Sequence, residues 1–555
     1  MNRRSVTSVT AGALAVALLG AGASVAQAGG SGGGGGGGGP RPGQGLVARG
    51  DAYRTAAGDT LTVHEGGVLR NDSGRPVTLV ANTAPANGTL HLNPDGTFSY
   101  APKPGFTGTD TFTYSVSDAV TRYTTQVAPL ATIGGVTIKG GAYGSSIYPV
   151  PGSKDEFYGL TDRGPNVDGP NGVKIEPLPE FTPAIGRFRL VDGRATLLRT
   201  IPLRAADGTP YNGRVSTEAS TGETILDING NVLTADPNGY DPEGLVALRD
   251  GTFWVSDEYG PYITHFGRDG RAIERLSPFN GALPAELANR MPNRGMEGLT
   301  LTPDGSTLVG MMQSALAQKD LTPRPVTVPT LRVVTYNLRT KATHEYVYLL
   351  DDPLRNVGAV SEITAISNTK FLVTERDGTF EPGAFKKIFT IDLTGATDVG
   401  PRASVPGAVY TAGQGGLLLG TAGRTIEATV GSTDTATATA TLASFGIRPV
   451  RKTLDVDLAG LVSTLDPTGG FFGHDKVEGV ATTDGGRTLV ISNDNDFGIS
   501  GLTNTTPPFQ LRAKILPNGQ QDDGAFLVVD TTRLPAHTST ATVTITVTAK
   551  GGPRR

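Results

Sequence analysis

DPEGLVALRDGTFWVSDEYGP, residues Asp241 to Pro261, reads as a β-hairpin. Leu245–Ala247 is a short apolar run, Asp250-Gly251 is a turn signal, and Phe253–Val255 is aromatic and β-branched. An acid, Glu243, enters the first strand, and two more, Asp257 and Glu258, leave the second. In an antiparallel pair the start of one strand and the end of the next share an edge, so these carboxylates gather on one side.

The same phrase occurs four more times. It reads YGSSIYPVPGSKDEFYGLTDRGPN from Tyr143, NRGMEGLTLTPDGSTLVGMMQ from Asn293, VSEITAISNTKFLVTERDG from Val360 and KVEGVATTDGGRTLVISNDNDFG from Lys476. A second strand pair follows in several repeats, such as AIGRFRLV with ATLLRTIPL, LRVVTYNL with THEYVYLL, and KKIFTIDL with RKTLDVDL. Four antiparallel strands per repeat, at irregular spacing and with little helical periodicity, predict an all-β β-propeller over 127–535. Five blades are counted, and six if the stretch 204–240 hides another. The Ala- and Thr-rich segment Thr425 to Gly446 is expected to be a protruding hairpin or a mobile loop.

The remaining chain divides into three parts. MNRRSVTSVTAGALAVALLGAGASVAQA has Arg3 and Arg4, an apolar stretch and an Ala26-Gln27-Ala28 site, which together predict a secretory signal cleaved after Ala28. A Gly-rich linker follows over 29–46. Residues 47–123 carry Asn87-Gly88 and Asp95-Gly96 turns between alternating strands, which predicts a small β-sandwich. TSTATVTITVT at 538–548 reads as the sandwich's missing last strand, making the propeller an insertion into its final hairpin. The alternative is an edge strand or tail of the propeller.

Composition excludes several functions. The 555-residue chain has a net charge of −4, too little positive charge for nucleic-acid binding. With no cysteine it uses neither disulfides nor thiolate chemistry. Outside the leader no segment reaches the roughly 20 apolar residues of a membrane span. A secreted monomer without a membrane span is expected.

If each hairpin is the inner half of a blade, its acids converge on one mouth of the central channel. The entering acids are Glu243, Glu297, Glu362 and Glu478, with Ser146 in the matching place of the first repeat. They are the candidate catalytic residues. Asp162, Asp257, Glu258, Glu375, Asn493, Asp494 and Asp496 leave the second strands and are candidate metal ligands. Several glutamates around one mouth repel unless protonated or bridged by cations. Oxygen ligands without cysteine favour Ca²⁺. Arg163, Arg294, Arg376 and Lys476 are candidate contacts for an anionic substrate. The alternative is a structural ring of acids locking blade turns. None of the six histidines has zincin spacing, although His474 adjoins Glu478, and no strand-turn-helix serine supports a hydrolase triad.

DRGPN, DPEGL, SDEYGP, NRGMEGL, KVEGV and SNDNDFG, in that order over about 400 residues, resemble the phytase-like domain described as "esterase-like activity of phytase". The sandwich, with GGVLRND and the run ending YSVSD, resembles cadherin-like tandem-repeat modules of bacterial surface and secreted proteins. The first resemblance implies a secreted propeller that hydrolyses phosphate esters with Ca²⁺. The third repeat departs from it by ending in Met311-Met312-Gln313, where an acid is expected. Two rivals stand beside that reading: a lactonase or esterase propeller with one central Ca²⁺, and a non-catalytic extracellular binding module.

Overall fold

In the computed structural model, which describes residues 45–550 apart from 65, 75 and 221, the five hairpins are the inner halves of five blades. The proposed signal and most of the linker lie outside the described residues. Blade 1 comprises Ser146–Pro149, Glu156–Leu160, Ala184–Val191 and Arg194–Pro202. Blade 2 comprises Pro242–Ala247, Phe253–Asp257, Ile263–Phe266 and Ala272–Leu276. Blade 3 comprises Met296–Leu301, Thr307–Met312, Thr330–Asn337 and Thr343–Leu349. Blade 4 comprises Ala359–Ala365, Lys370–Arg376, Lys386–Asp392 and Arg451–Asp457. Each inner strand packs on the next, and that of blade 5 (Val477–Ala481) returns to blade 1, so the ring closes at five. The fold is an all-β propeller.

Blade 5 continues with Thr488–Asn493 and Ala525–Asp530, and its outer strand, Val120–Thr125, comes from the other end of the chain. That strand also touches blade 1 through Arg194 and Ala195. It therefore belongs to the propeller, and the sandwich ends near Ser117 rather than at 123. Apolar residues between adjacent blades form the core; Val246, Trp254, Leu299 and Leu308, for example, are buried between blades 2 and 3.

Thr538–Thr548 lies inside the sandwich. It runs antiparallel to Gly108–Ser117 from Thr538↔Ser117 to Val547↔Gly108, and parallel to Asp51–Ala56. Period-2 alternation buries Ala541, Val543, Ile545 and Val547 against Phe98, Phe112 and Tyr114. The propeller thus sits between two paired strands of the sandwich, and the two crossing segments touch where the Ser117 hydroxyl donates to the His537 carbonyl at 3.1 Å.

Two further expectations change. The stretch 204–240 supplies no blade; Ile225–Asp227 and Val232–Leu233 join Val167–Asp168 and Lys174–Glu176 in a small sheet. Thr425 to Gly446 is neither a hairpin nor a loop. It contains helices Ile426–Val430 and Thr435–Ser444, which pack against Val347 and Leu349 of blade 3. Threonine alternation suggests a strand, but Asp434 caps the second helix by accepting from Thr437 N at 2.8 Å. Ala438 and Leu442, four apart, give that helix its buried stripe.

Candidate active-site cup

The end of the channel where second strands exit opens into a cup of about 470 Å³. Ten carboxylates and five basic groups line it. Residues from the segment 162–174, the two ends of the blade 4 inner hairpin (Val357, Ala359 and Arg376 to Gly378), and Ile499 with Ser500 raise its walls.

Register decides which acids reach the cup. In blade 3 the pairing runs Met296↔Met312 and then Gly298↔Met311, so Glu297 is an extra residue in a β-bulge. Glu243 and Glu478 occupy equivalent bulges in blades 2 and 5. All three line the cup. The glycine after each bulge faces the neighbouring blade. A Cβ on Gly298 would stand 2.6 Å from Ile363 N, and one on Gly244 2.5 Å from Leu299 N.

Glu362 is a correction. In blade 4 the bulge falls on Ser361, and Glu362 pairs with Thr374 in the register of those glycines. A one-residue slip reverses the face of every side chain. Glu362 therefore points away from the cup and accepts a hydrogen bond from the Ser146 hydroxyl at 2.6 Å and from Ile363 N at 3.0 Å. Ser146 pairs with Leu160 in blade 1 without a bulge, and its bond to Glu362 links the inner strands of blades 1 and 4. Burial raises the Glu362 carboxyl well above its ordinary value.

Strand exits obey the same alternation. Asp162, Glu258, Asp494 and Asp496 line the cup, whereas Asp257, Glu375 and Asn493 do not. Asp257 accepts from the backbone N–H groups of Asp241, at 2.8 Å, and Gly260. Glu375 accepts from the Tyr348 hydroxyl, from Lys452, and from Asp351 N at 2.9 Å. Asn493 donates to Asp522 at 3.1 Å and accepts from Ala525 N at 2.8 Å. These three hold turns and blades together.

All four predicted cations line the cup. Arg376 pairs with Glu478. Lys476 bridges Asp494, at 3.1 Å, and Asp496. Arg163 packs over the Tyr259 ring at 4.9 Å, donates to its hydroxyl, and lies 3.5 Å from Glu223. Arg294 donates to Gln313 Oε1 at 3.1 Å, and Gln313 Nε2 donates to Glu297 Oε2 at 2.8 Å. Gln313, which stands where an acid was expected, thus links a cation to a carboxylate.

Sequence reasoning missed Asp241, although it opens the DPEGL motif two residues before Glu243. Carboxylate oxygens of Asp241, Glu243 and Glu258 all lie within 4.8 Å of one another. It also missed Lys514, which pairs with Asp475 at 2.7 Å and Asp496 at 2.8 Å from behind the wall. Lys514 lies in a loop far from any hairpin motif. His474 faces away from the cup and bonds Asp522 through Nδ1 at 3.1 Å.

The cup is electrostatically divided. Burial, followed by the charges of Glu297 and Asp241, raises both Glu243 and Glu258 well above the ordinary carboxylate range. Burial lifts Glu297 to about 7 and Glu478 to about 8, with Arg376 opposing each shift. On the other side burial would raise Asp496, but Lys476 and Lys514 outweigh it and hold the group below its ordinary value. Asp496 and Phe497 both take left-handed backbone, with φ of 47° and 54°. Such conformations cost on the order of 1–3 kcal/mol each. Asn495 offsets part of this by accepting from Phe497 N at 3.0 Å, and Phe497 packs edge-on against Phe181.

A hard divalent cation fits the Asp241, Glu243 and Glu258 cluster. Oxygens around Ca²⁺ lie up to about 5 Å apart, twice the roughly 2.3–2.6 Å bond length. Glu258 Oε1 is buried without a hydrogen-bond partner among the described residues. Uncompensated, such a cluster stays ionised only at considerable cost.

Parts of the chain resemble known proteins. Residues 43–130 match the bacterial Ig domain family. A protein of Arthroderma benhamiae, described as an "Uncharacterized secreted protein", is 30% identical over 231 residues, covering 33% of this chain. This chain spans 45% of that relative. Among solved structures, the β-propeller domain of Cps50 (Swd1) from Myceliophteria thermophila is 8% identical with a TM-score of 0.24, covering 82% of this chain and 99% of that one. The PQQ-bound aldose sugar dehydrogenase of Streptomyces coelicolor is 11% identical with a TM-score of 0.25, covering 74% and 99%. Residues 140–497 match the family described as "Phytase-like: Esterase-like activity of phytase", and the chain belongs to that family.

Proposed function

We propose that the protein is a secreted, metal-dependent phosphoric-ester hydrolase working in the five-bladed cup. One observation carries this reading: a buried cluster of three carboxylates, Asp241, Glu243 and Glu258, shares one cup with Arg163, Arg294, Arg376 and Lys476. Three converging carboxylates suit a cation, and a row of guanidinium and ammonium groups suits an anionic ester. Ca²⁺ held by the cluster would neutralise phosphate charge and polarise the phosphorus–oxygen bond.

The chain's own groups supply the remaining work. Arg163 and Arg376 are fixed by Tyr259 and Glu478, so their forks meet phosphate oxygens with little reorganisation. Glu297 has one oxygen held by Gln313 and serves as general base, taking a proton from water as that water's oxygen attacks phosphorus. The phosphorus–ester oxygen bond breaks, and the leaving oxygen takes a proton from solvent to depart as an alcohol. Phosphate is released, and Glu297 returns its proton to solvent. The A-x-A leader and the secreted relative support export.

Phosphate release from phytate and from 4-nitrophenyl phosphate, with Ca²⁺ and after chelation, tests the reading. Ca²⁺-dependent release is expected, together with its loss in Arg163→Gln and Arg376→Gln. Turnover of a neutral lactone that survives both substitutions, without phosphate release, would overturn it in favour of the lactonase alternative.

A further inference from the structure

Behind the wall of the cup lies a second recess of about 680 Å³, bounded by the outer strand of blade 5 and by loops 469–474 and 516–525. His474 and Asn493 turn toward Asp522 on its side, while Lys476 and Asp494 turn into the cup. Both aspartates of this recess have polar partners, while one of its two basic side chains has no carboxylate partner among the described residues. Lys139 pairs with Asp523 at 2.8 Å. Asp522 is held by His474, by Asn493, and by Gly524 N at 3.0 Å. Arg122 pairs with no carboxylate among the described residues. Its guanidinium lies 5.3 Å from the Phe471 ring centre and makes a single hydrogen bond, to the Phe471 carbonyl. A half-buried arginine without a counter-ion has desolvation to recover, and an anion in the recess would recover it.

We propose that this recess binds a small monoanionic carboxylate carrying a hydroxylated body, of the sugar-acid type. One unpaired guanidinium matches one negative charge, and a dianion would leave a second charge uncompensated beside Asp522 and Asp523. The side chains of Thr124, Gln126 and Gln520 line the recess and make no hydrogen bond within the described chain, so they are available to hydroxyl groups. The proposal is independent of the chemistry assigned to the cup.

Calorimetric titration of the full chain with gluconate and galacturonate tests it, with glucose, phosphate and sulfate as separate arms. Both sugar acids are expected to bind and glucose is not. Arg122→Gln should weaken binding at least about tenfold, the loss of one charge-assisted hydrogen bond. Gln520→Trp, on an exposed loop, should fill the mouth and abolish binding with the melting temperature unchanged. It decides the matter if Arg122→Gln fails to fold. Glu258→Gln, in the cup, should leave binding intact. The proposal falls if no sugar acid binds, if glucose binds equally well, or if only phosphate or sulfate binds. It falls equally if Glu258→Gln removes binding while the recess variants keep it.

Discussion

Replacing Glu362 by glutamine separates a link between blades from a catalytic rim. Burial raises the Glu362 carboxyl well above its ordinary value and so favours the neutral acid, whose shape glutamine copies. The contacts at stake are the Ser146 hydroxyl, 2.6 Å from Oε2, and Ile363 N, 3.0 Å from Oε1; in glutamine the amide oxygen accepts from Ile363 N while the NH2 group donates to the Ser146 oxygen. Glu362→Gln should therefore cost under about 1 kcal/mol, within the net worth of one hydrogen bond. Glu362→Ala strands both donors, at about 1–3 kcal/mol each, so a total loss of about 2–5 kcal/mol is expected. Glu297→Gln should show the reverse pattern, with stability retained and turnover reduced on the order of 10²–10⁴-fold by loss of the base. Circular dichroism during chemical denaturation reads the first quantity, and phosphate release under saturating Ca²⁺ reads the second. If Glu362→Gln lowers turnover as deeply as Glu297→Gln while unfolding normally, Glu362 reaches the cup and the register argument is wrong.

Two further outcomes follow from the fold. Gly298→Ala should destabilise by about 1–3 kcal/mol, because its Cβ meets the backbone of blade 4, whereas Gly413→Ala, with open space around it, should be nearly neutral. Equal unfolding midpoints for the two variants would show that the blades do not approach as described. In the sandwich, burial would raise Asp110, but bonds from Tyr100 and from the backbone of Asn87, Thr111 and Ala86 outweigh it and hold the group below 3.8. Its stabilisation is therefore complete above the unfolded value and lost as pH falls through the lower folded value. Asp110→Asn should flatten sandwich stability across that acid range, and an unchanged acid unfolding profile would contradict this.

Much of the architecture was legible because hairpins write themselves locally, as Asp250-Gly251 and Asp304-Gly305 do between apolar runs. TSTATVTITVT declared its place by period-2 alternation despite lying some 420 residues from its partner strand. What local reading loses is a single-residue offset. The bulge that turns Glu243, Glu297 and Glu478 into the cup falls on Ser361 in blade 4, and nothing in VSEIT marks it. Some adjacent exit residues also face opposite ways: of Asp257 and Glu258, or of Asn493 and Asp494, one lines the cup and the other anchors a turn. Alternation from Glu243 back to Asp241 was the available signal for the missed cup carboxylate. The helical reading of 425–446 needed tertiary context, since threonine's strand preference yields there to a capping aspartate and the buried face of blade 3.

The measurement closest to the central claim is Ca²⁺-dependent phosphate release by the wild type and by Glu258→Gln, run beside Ca²⁺ titrations of the melting temperature. Glu258 Oε1 is buried without a hydrogen-bond partner among the described residues, so the substitution removes a proposed metal ligand while keeping shape. The account predicts that Ca²⁺ raises both turnover and melting temperature in the wild type, and that Glu258→Gln loses both responses while remaining folded. Turnover and melting temperature indifferent to Ca²⁺ and to chelator in the wild type would contradict it.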